Sequence, residues 1–144
     1  MGAKPRGFTV VETALALALA GLLAFGAVDA LRRLGPKLDL RTGVWGISTG
    51  LNQARFRAIL SGAAVRVRFV PAGFVLERSN ADSASWRAAR SVALAGVVIS
   101  ANNAPVFHPQ GTVSDLASIT VENVYGAYKI TIAITGRIKA VRTR

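Results

Sequence analysis

The sequence predicts an α+β protein: a long N-terminal helix, first membrane-crossing and then amphipathic, packed on a small, mainly antiparallel β-sheet domain. Three observations lead there. An apolar run occupies residues 8–31, an apolar stripe at helical spacing follows, and from Val65 the hydrophobic period changes to two. A chain of 144 residues accommodates one such domain.

The first element is the apolar run. Its only ionisable members are Glu12 and Asp29, and no side chain between Ala14 and Val28 is polar. As a helix it would measure roughly 36 Å, enough to cross a bilayer core. Globular helices rarely stay apolar on all sides over such a length. A removable secretory signal would have a shorter core and a small-residue cleavage site, whereas this run meets Asp29, Arg32 and Arg33. Lys4 and Arg6 precede the span and Arg32, Arg33, Lys37 and Arg41 follow it, so charge alone does not fix its orientation.

Gly35-Pro36 is expected to break or kink the helix, because proline lacks the backbone donor and restricts the residue before it. Beyond it, Leu40, Val44, Ile47, Leu51, Ala54 and Ala58 recur at alternating intervals of four and three, with Gly62 as the stop. Val65, Val67 and Phe69 alternate with Arg66 and Arg68 as a half-buried strand. Its hairpin partner is expected over 74–78, across Pro71-Ala72-Gly73, with a polar loop over 79–85. Further strands are expected over 97–100, 118–124, 128–134 and 137–141. The organisation expected is 1–7 leader, 8–31 membrane helix, 32–62 amphipathic continuation and 63–144 β domain.

Composition excludes several chemistries. There is no cysteine, which removes disulfides, thiol catalysis and cysteine-bound zinc, and the single histidine, His108, reads as a turn residue before Pro109. Gly46-Ile47-Ser48-Thr49-Gly50 matches a nucleophile-elbow pattern but lies inside the helical stripe, in a chain too short for the sheet that elbow needs. No enzymatic activity, cofactor, metal or small-molecule substrate is expected. The net charge of +11 is the remaining signal. From Lys129 onward the chain carries Lys129, Arg137, Lys139, Arg142 and Arg144 and no acid, a composition that suits phosphate backbones or simply a solvated basic face.

Glu12 is the anomaly, since a carboxylate in an apolar span costs up to about 3 kcal/mol at mid-bilayer. The segment Arg6-Gly7-Phe8-Thr9-Val10-Val11-Glu12 resembles the processing site of type IV prepilins and type II secretion pseudopilins. The resemblance implies that a prepilin peptidase cuts between Gly7 and Phe8 and methylates Phe8. It also places Glu12 at the family's glutamate position. An exposed α-amine has a reference pKa of about 7.7 to 8 and is largely cationic at neutral pH. In a fibre, that amine of one subunit would meet Glu12 of its neighbour, making Glu12 an assembly and register residue. The resemblance further implies a pilin-like fold, a cytoplasmic leader, a single pass through the bacterial inner membrane and a periplasmic β domain. Its partners would be other pseudopilins or pilins, an inner-membrane assembly platform and membrane lipid.

The likeness extends along the chain. Ala54-Arg55 with Ala58-Ile59, the Arg/Val strand at 65–69, Trp86, Phe107-His108-Pro109-Gln110-Gly111 and Gly136-Arg137-Ile138-Lys139 are similar, in order and spacing, to the GspH/FimT branch of minor pseudopilins and minor pilins. In FimT-type pilins a Gly-Arg-x-Arg stretch belongs to a DNA-binding surface. Here Lys139 replaces the last arginine, keeping the charge but not the bidentate fork. Two functions are therefore expected: a structural minor pseudopilin, or a fibre-borne DNA receptor using Lys129, Arg137, Lys139, Arg142 and Arg144.

Overall fold

The computed structural model describes residues 9–80 and 83–143. The chain divides into two compact units, Met1–Gly35 and Pro36–Arg144. One helix, α1 (Val10–Ser61), contributes to both. In the first unit, Val10–Val28 has a mean hydropathy of 2.0 and none of its length is buried, making it the one described helix long and apolar enough to cross a membrane.

The helical hydrogen-bonding pattern continues through Pro36, so the break expected there does not occur. Proline forfeits one bond to the preceding turn, and the turns on either side remain helical. In the second unit, Leu40, Ile47, Leu51, Ala54 and Ala58 are all buried, with Val44 packed against them, so the apolar stripe is the face that meets the sheets. Gly62, at φ +62°, ends the helix with the left-handed residue that such stops favour.

Two antiparallel sheets share that stripe. The first joins β1 (Val65–Val70), β2 (Gly73–Asn80), β3 (Ser83–Ala93), β5 (Val106–Phe107) and β6 (Val113–Ser114) in the order β3-β2-β1-β5-β6. The second joins β4 (Val98–Ala101), β7 (Ser118–Asn123), β8 (Gly126–Ile132) and β9 (Ile138–Arg142) in the order β4-β7-β8-β9. The inward residues of both (Val67, Phe74 and Leu76; Ile119, Val121 and Ile130) form one core with the helix. The α+β, largely antiparallel architecture is the expected one.

Several boundaries differ from expectation. β1 and β2 are joined through Pro71-Ala72, because Gly73 is already paired with Val70. The expected loop over 79–85 is mostly strand: β2 extends to Asn80 and β3 begins at Ser83. β3 reads SASWRAARSVA, a composition poor in the β-branched residues that announce a strand, and it forms because β2 supplies its ladder. The two-residue strands β5 and β6 were likewise invisible to periodicity. They close the hairpin around His108-Pro109-Gln110-Gly111, where the Gly111 N–H donates to the His108 carbonyl at 2.8 Å.

Candidate functional site

Glu12 lies in the first turn of α1. The Thr9 hydroxyl accepts a hydrogen bond from the Glu12 backbone N–H at 3.2 Å, so Thr9 caps the helix. Thr9-Val10-Val11-Glu12 therefore has capping-box spacing, with glutamate at the third helical position, where a negative charge also suits the helix dipole. The Thr13 hydroxyl donates to the Val10 carbonyl at 2.8 Å, which keeps the polar groups of this turn internally satisfied. Glu12 is exposed and forms no ion pair among the described residues, while Val10 and Val11 beside it are also exposed. Gly7 and Phe8, the expected cleavage and methylation positions, lie outside the described residues.

The described basic residues near the C-terminus fall on two faces of the second sheet and in the turn before β9. Residues directly opposite in an antiparallel ladder share a face. Lys129 is opposite Val141 and Lys139 is opposite Thr131, which places both lysines on the outer face of the second sheet as diagonal neighbours. Arg142 is opposite Tyr128 and belongs to the other face, where its guanidinium lies 5.2 Å from the Tyr125 ring centroid. Lys37 approaches the same ring at 5.7 Å. Arg137 is exposed in the turn before β9, and Arg144 lies outside the described residues. Of the four described residues, Lys129 and Lys139 form a pair, Arg137 is near them in sequence, and Arg142 is on the opposite face. The alternation of a strand, read off the register, is what divides them.

The nucleophile-elbow pattern is helical packing. The Ser48 hydroxyl donates to the Val44 carbonyl at 2.9 Å within α1. Gly50 lies against the Phe74 ring so closely that a β-carbon there would collide with it, and Gly43 and Gly46 make similar approaches to Val97 and Leu94. The glycines let the helix sit close to the sheets. His108 Nε2 is 2.9 Å from the Ser114 hydroxyl, a bond that ties the turn to β6.

Two clusters were not foreseen. On the outer face of the first sheet, buried Glu77 takes a 2.6 Å contact from Arg66 and a 2.9 Å contact from Arg68, and the Arg66 guanidinium lies 4.5 Å from the Trp86 ring centroid. On the core side of the same sheet, beyond the end of the core, Arg57, Arg78 and Arg87 line two adjoining grooves. Neither cluster has a sequence signature, because the first depends on the β1–β2 register and the second on the β2–β3 pairing.

The whole domain is similar to solved pilin-type structures. The minor pseudopilin EpsH from the type 2 secretion system of Vibrio cholerae superposes with a TM-score of 0.60 at 14% identity, covering 72% of this chain and 97% of that one. The type IV minor pilin FimU of Pseudomonas aeruginosa superposes with a TM-score of 0.60 at 14% identity, covering 73% and 90%. No protein-family model matches the chain, and no curated protein matches it in sequence. The shared property is therefore the pilin-like fold.

Proposed function

We propose that this chain is a minor pseudopilin or minor type IV pilin, a structural subunit inserted into a fibre through its N-terminal helix. The observation that carries the reading is the combination of one pilin-like domain with an exposed apolar helix that bears a carboxylate in its first turn. Capping alone does not call for a full negative charge there, because a neutral side chain can cap the same turn. In a fibre, the N-terminal amine released by cleavage after Gly7 supplies the missing cation, and two costly charges become one pair. In this reading prepilin peptidase generates and methylates Phe8, residues 8–31 hold the chain in the inner membrane, and the β domain is periplasmic. Neighbouring pilins and the assembly platform are the partners.

Mass spectrometry of the N-terminus of the chain purified from a host with prepilin peptidase tests this directly. A mature chain beginning at N-methylated Phe8 is the expected result. An intact leader ending in Gly7 overturns the assignment.

The placement of Lys129 and Lys139 on one exposed sheet face favours a second reading, a fibre subunit that also binds DNA. Phosphate contacts of this kind weaken steeply with salt. A gel-shift series at rising salt with the full chain in neutral detergent is expected to show low-salt binding that is lost in the Lys129→Gln/Lys139→Gln variant. Unchanged DNA mobility at low salt eliminates this reading and leaves the structural one standing.

A further inference from the structure

Arg78 on β2 and Arg87 on β3 are directly opposite each other across the ladder. Like charges in this position are about 5 Å apart at their β-carbons and destabilise the sheet. Nothing among the described residues relieves them: neither arginine makes an ion pair or hydrogen bond, and no carboxylate lines the grooves beside them. Arg57, exposed near the end of α1, brings a third guanidinium to the same place.

The grooves have a definite shape. One, of about 340 Å³, runs between Arg57, Leu60 and Ser61 of the helix and Val65, Leu76 and Arg78 of the sheet. The other, of about 310 Å³, continues past Arg78 to Arg87 and shares Ala89 with the first. Val65 and Leu76 lie buried beneath the first, and Leu60 at its rim, 82% exposed, is the apolar surface it offers.

We propose that this groove docks an extended acidic segment of a partner protein. Its carboxylates would occupy the arginine forks, which match carboxylate geometry in a bidentate manner, and an aliphatic side chain would pack on Leu60. A nucleic acid suits the site less well: no aromatic residue lines either groove to stack a base, and a phosphate backbone has nothing to place on the exposed Leu60. A second copy of this chain is a poor occupant because each carries a net charge of +11. The inference does not depend on the fibre reading, whose test is the mass of the N-terminus.

Fluorescence anisotropy with the full chain in neutral detergent tests it, using a labelled peptide of alternating Glu and Leu as the probe. The expected result is salt-sensitive binding that weakens at least about tenfold in Arg78→Gln/Arg87→Gln and changes less than about twofold in Lys129→Gln/Lys139→Gln. The thermal midpoint of the arginine double variant is expected to equal or exceed that of the parent, since a repulsion is removed. Arg87→Glu, which places a carboxylate opposite Arg78, is expected to raise the midpoint and abolish peptide binding. No binding by the parent, equal binding by the arginine variant, or single-stranded DNA displacing the peptide at equal charge concentration would each overturn the proposal. A lower midpoint in the arginine double variant would overturn the argument from repulsion.

Discussion

Glu77 is directly opposite Arg66 across the β1–β2 ladder, and the two form a 2.6 Å ion pair on the outer face of the first sheet. Arg68 completes the arrangement from the other side, its Nε donating to the second carboxylate oxygen at 2.9 Å. Burial pushes the Glu77 carboxyl up, but the hydrogen bonds and charges of Arg68 and Arg66 outweigh it and hold the group below its ordinary value. Trp86 covers the Arg66 guanidinium, so the cluster ties β1, β2 and β3 together.

Glu77→Gln is therefore expected to destabilise the domain by about 2 kcal/mol at neutral pH, since it strands two guanidinium groups around a neutral amide. The pH dependence has a definite sign. A carboxyl whose folded-state value is lowered contributes fully above its unfolded value, about 4.3, and its contribution disappears as pH falls through the folded value. The difference in unfolding free energy between parent and variant should be constant from pH 7 to about pH 5 and shrink below. Chemical denaturation of the full chain in neutral detergent at several pH values measures it, and a difference that grows on acidification would contradict the arrangement.

Gly50→Ala is expected to cost about 1 to 3 kcal/mol, because the new methyl would enter the Phe74 ring position at the helix–sheet contact. Helix propensity works in the opposite direction by about 1 kcal/mol, and the collision with the Phe74 ring outweighs it. Gly21→Ala is the matched control, with nothing within 4 Å of its added carbon. Thermal unfolding of both variants should show a loss at Gly50 and no loss at Gly21.

Gly136 occupies the turn before β9 at φ +78°, and its N–H donates to the Ala133 carbonyl at 2.8 Å. A β-carbon there would lie 2.9 Å from Arg55 Nε, a buried atom with no hydrogen-bond partner. Gly136→Ala is expected to destabilise by about 2 kcal/mol, combining backbone strain with displacement of Arg55. Hydrogen exchange of β8 and β9 amides is the measurement, and unchanged protection would show that the turn tolerates a side chain.

Glu12 has two separable roles. Its place in the Thr9 capping box can be filled by glutamine, which retains the acceptor but not the charge. Glu12→Gln and Glu12→Ala should therefore reduce fibre incorporation alike, by at least about tenfold, while both chains still insert into the membrane. The ratio of fibre-bound to membrane-bound protein after shearing reports this. Full incorporation of the glutamine variant would mean that the cap, and not the charge, is what assembly requires.

The readable parts of this sequence were the ones set by local periodicity. Leu40, Ile47, Leu51, Ala54 and Ala58 are one buried face because a helix brings every third or fourth residue into register, whatever surrounds it. Val65 and Val67 are buried beside the more exposed Arg66 and Arg68 for the equivalent reason in a strand. β3 was missed because its alanines, serines and arginines carry no preference of their own and become a strand only against β2. How Lys129, Lys139 and Arg142 divide between faces was illegible for a related reason: proximity in sequence says nothing about sheet face until the register of β8 and β9 is known.

The chain by itself determined the apolar N-terminal helix with its single early carboxylate, the amphipathic stripe and the α+β class, since each follows from side-chain periodicity and the cost of exposing or burying a group. Only the tertiary structure decided that Arg78 faces Arg87, that Glu77 is enclosed by two arginines, and that Arg142 parts company with Lys129 and Lys139. Those are relations between residues on different strands, and strand pairing is fixed by the shared core beneath them, which no local pattern encodes.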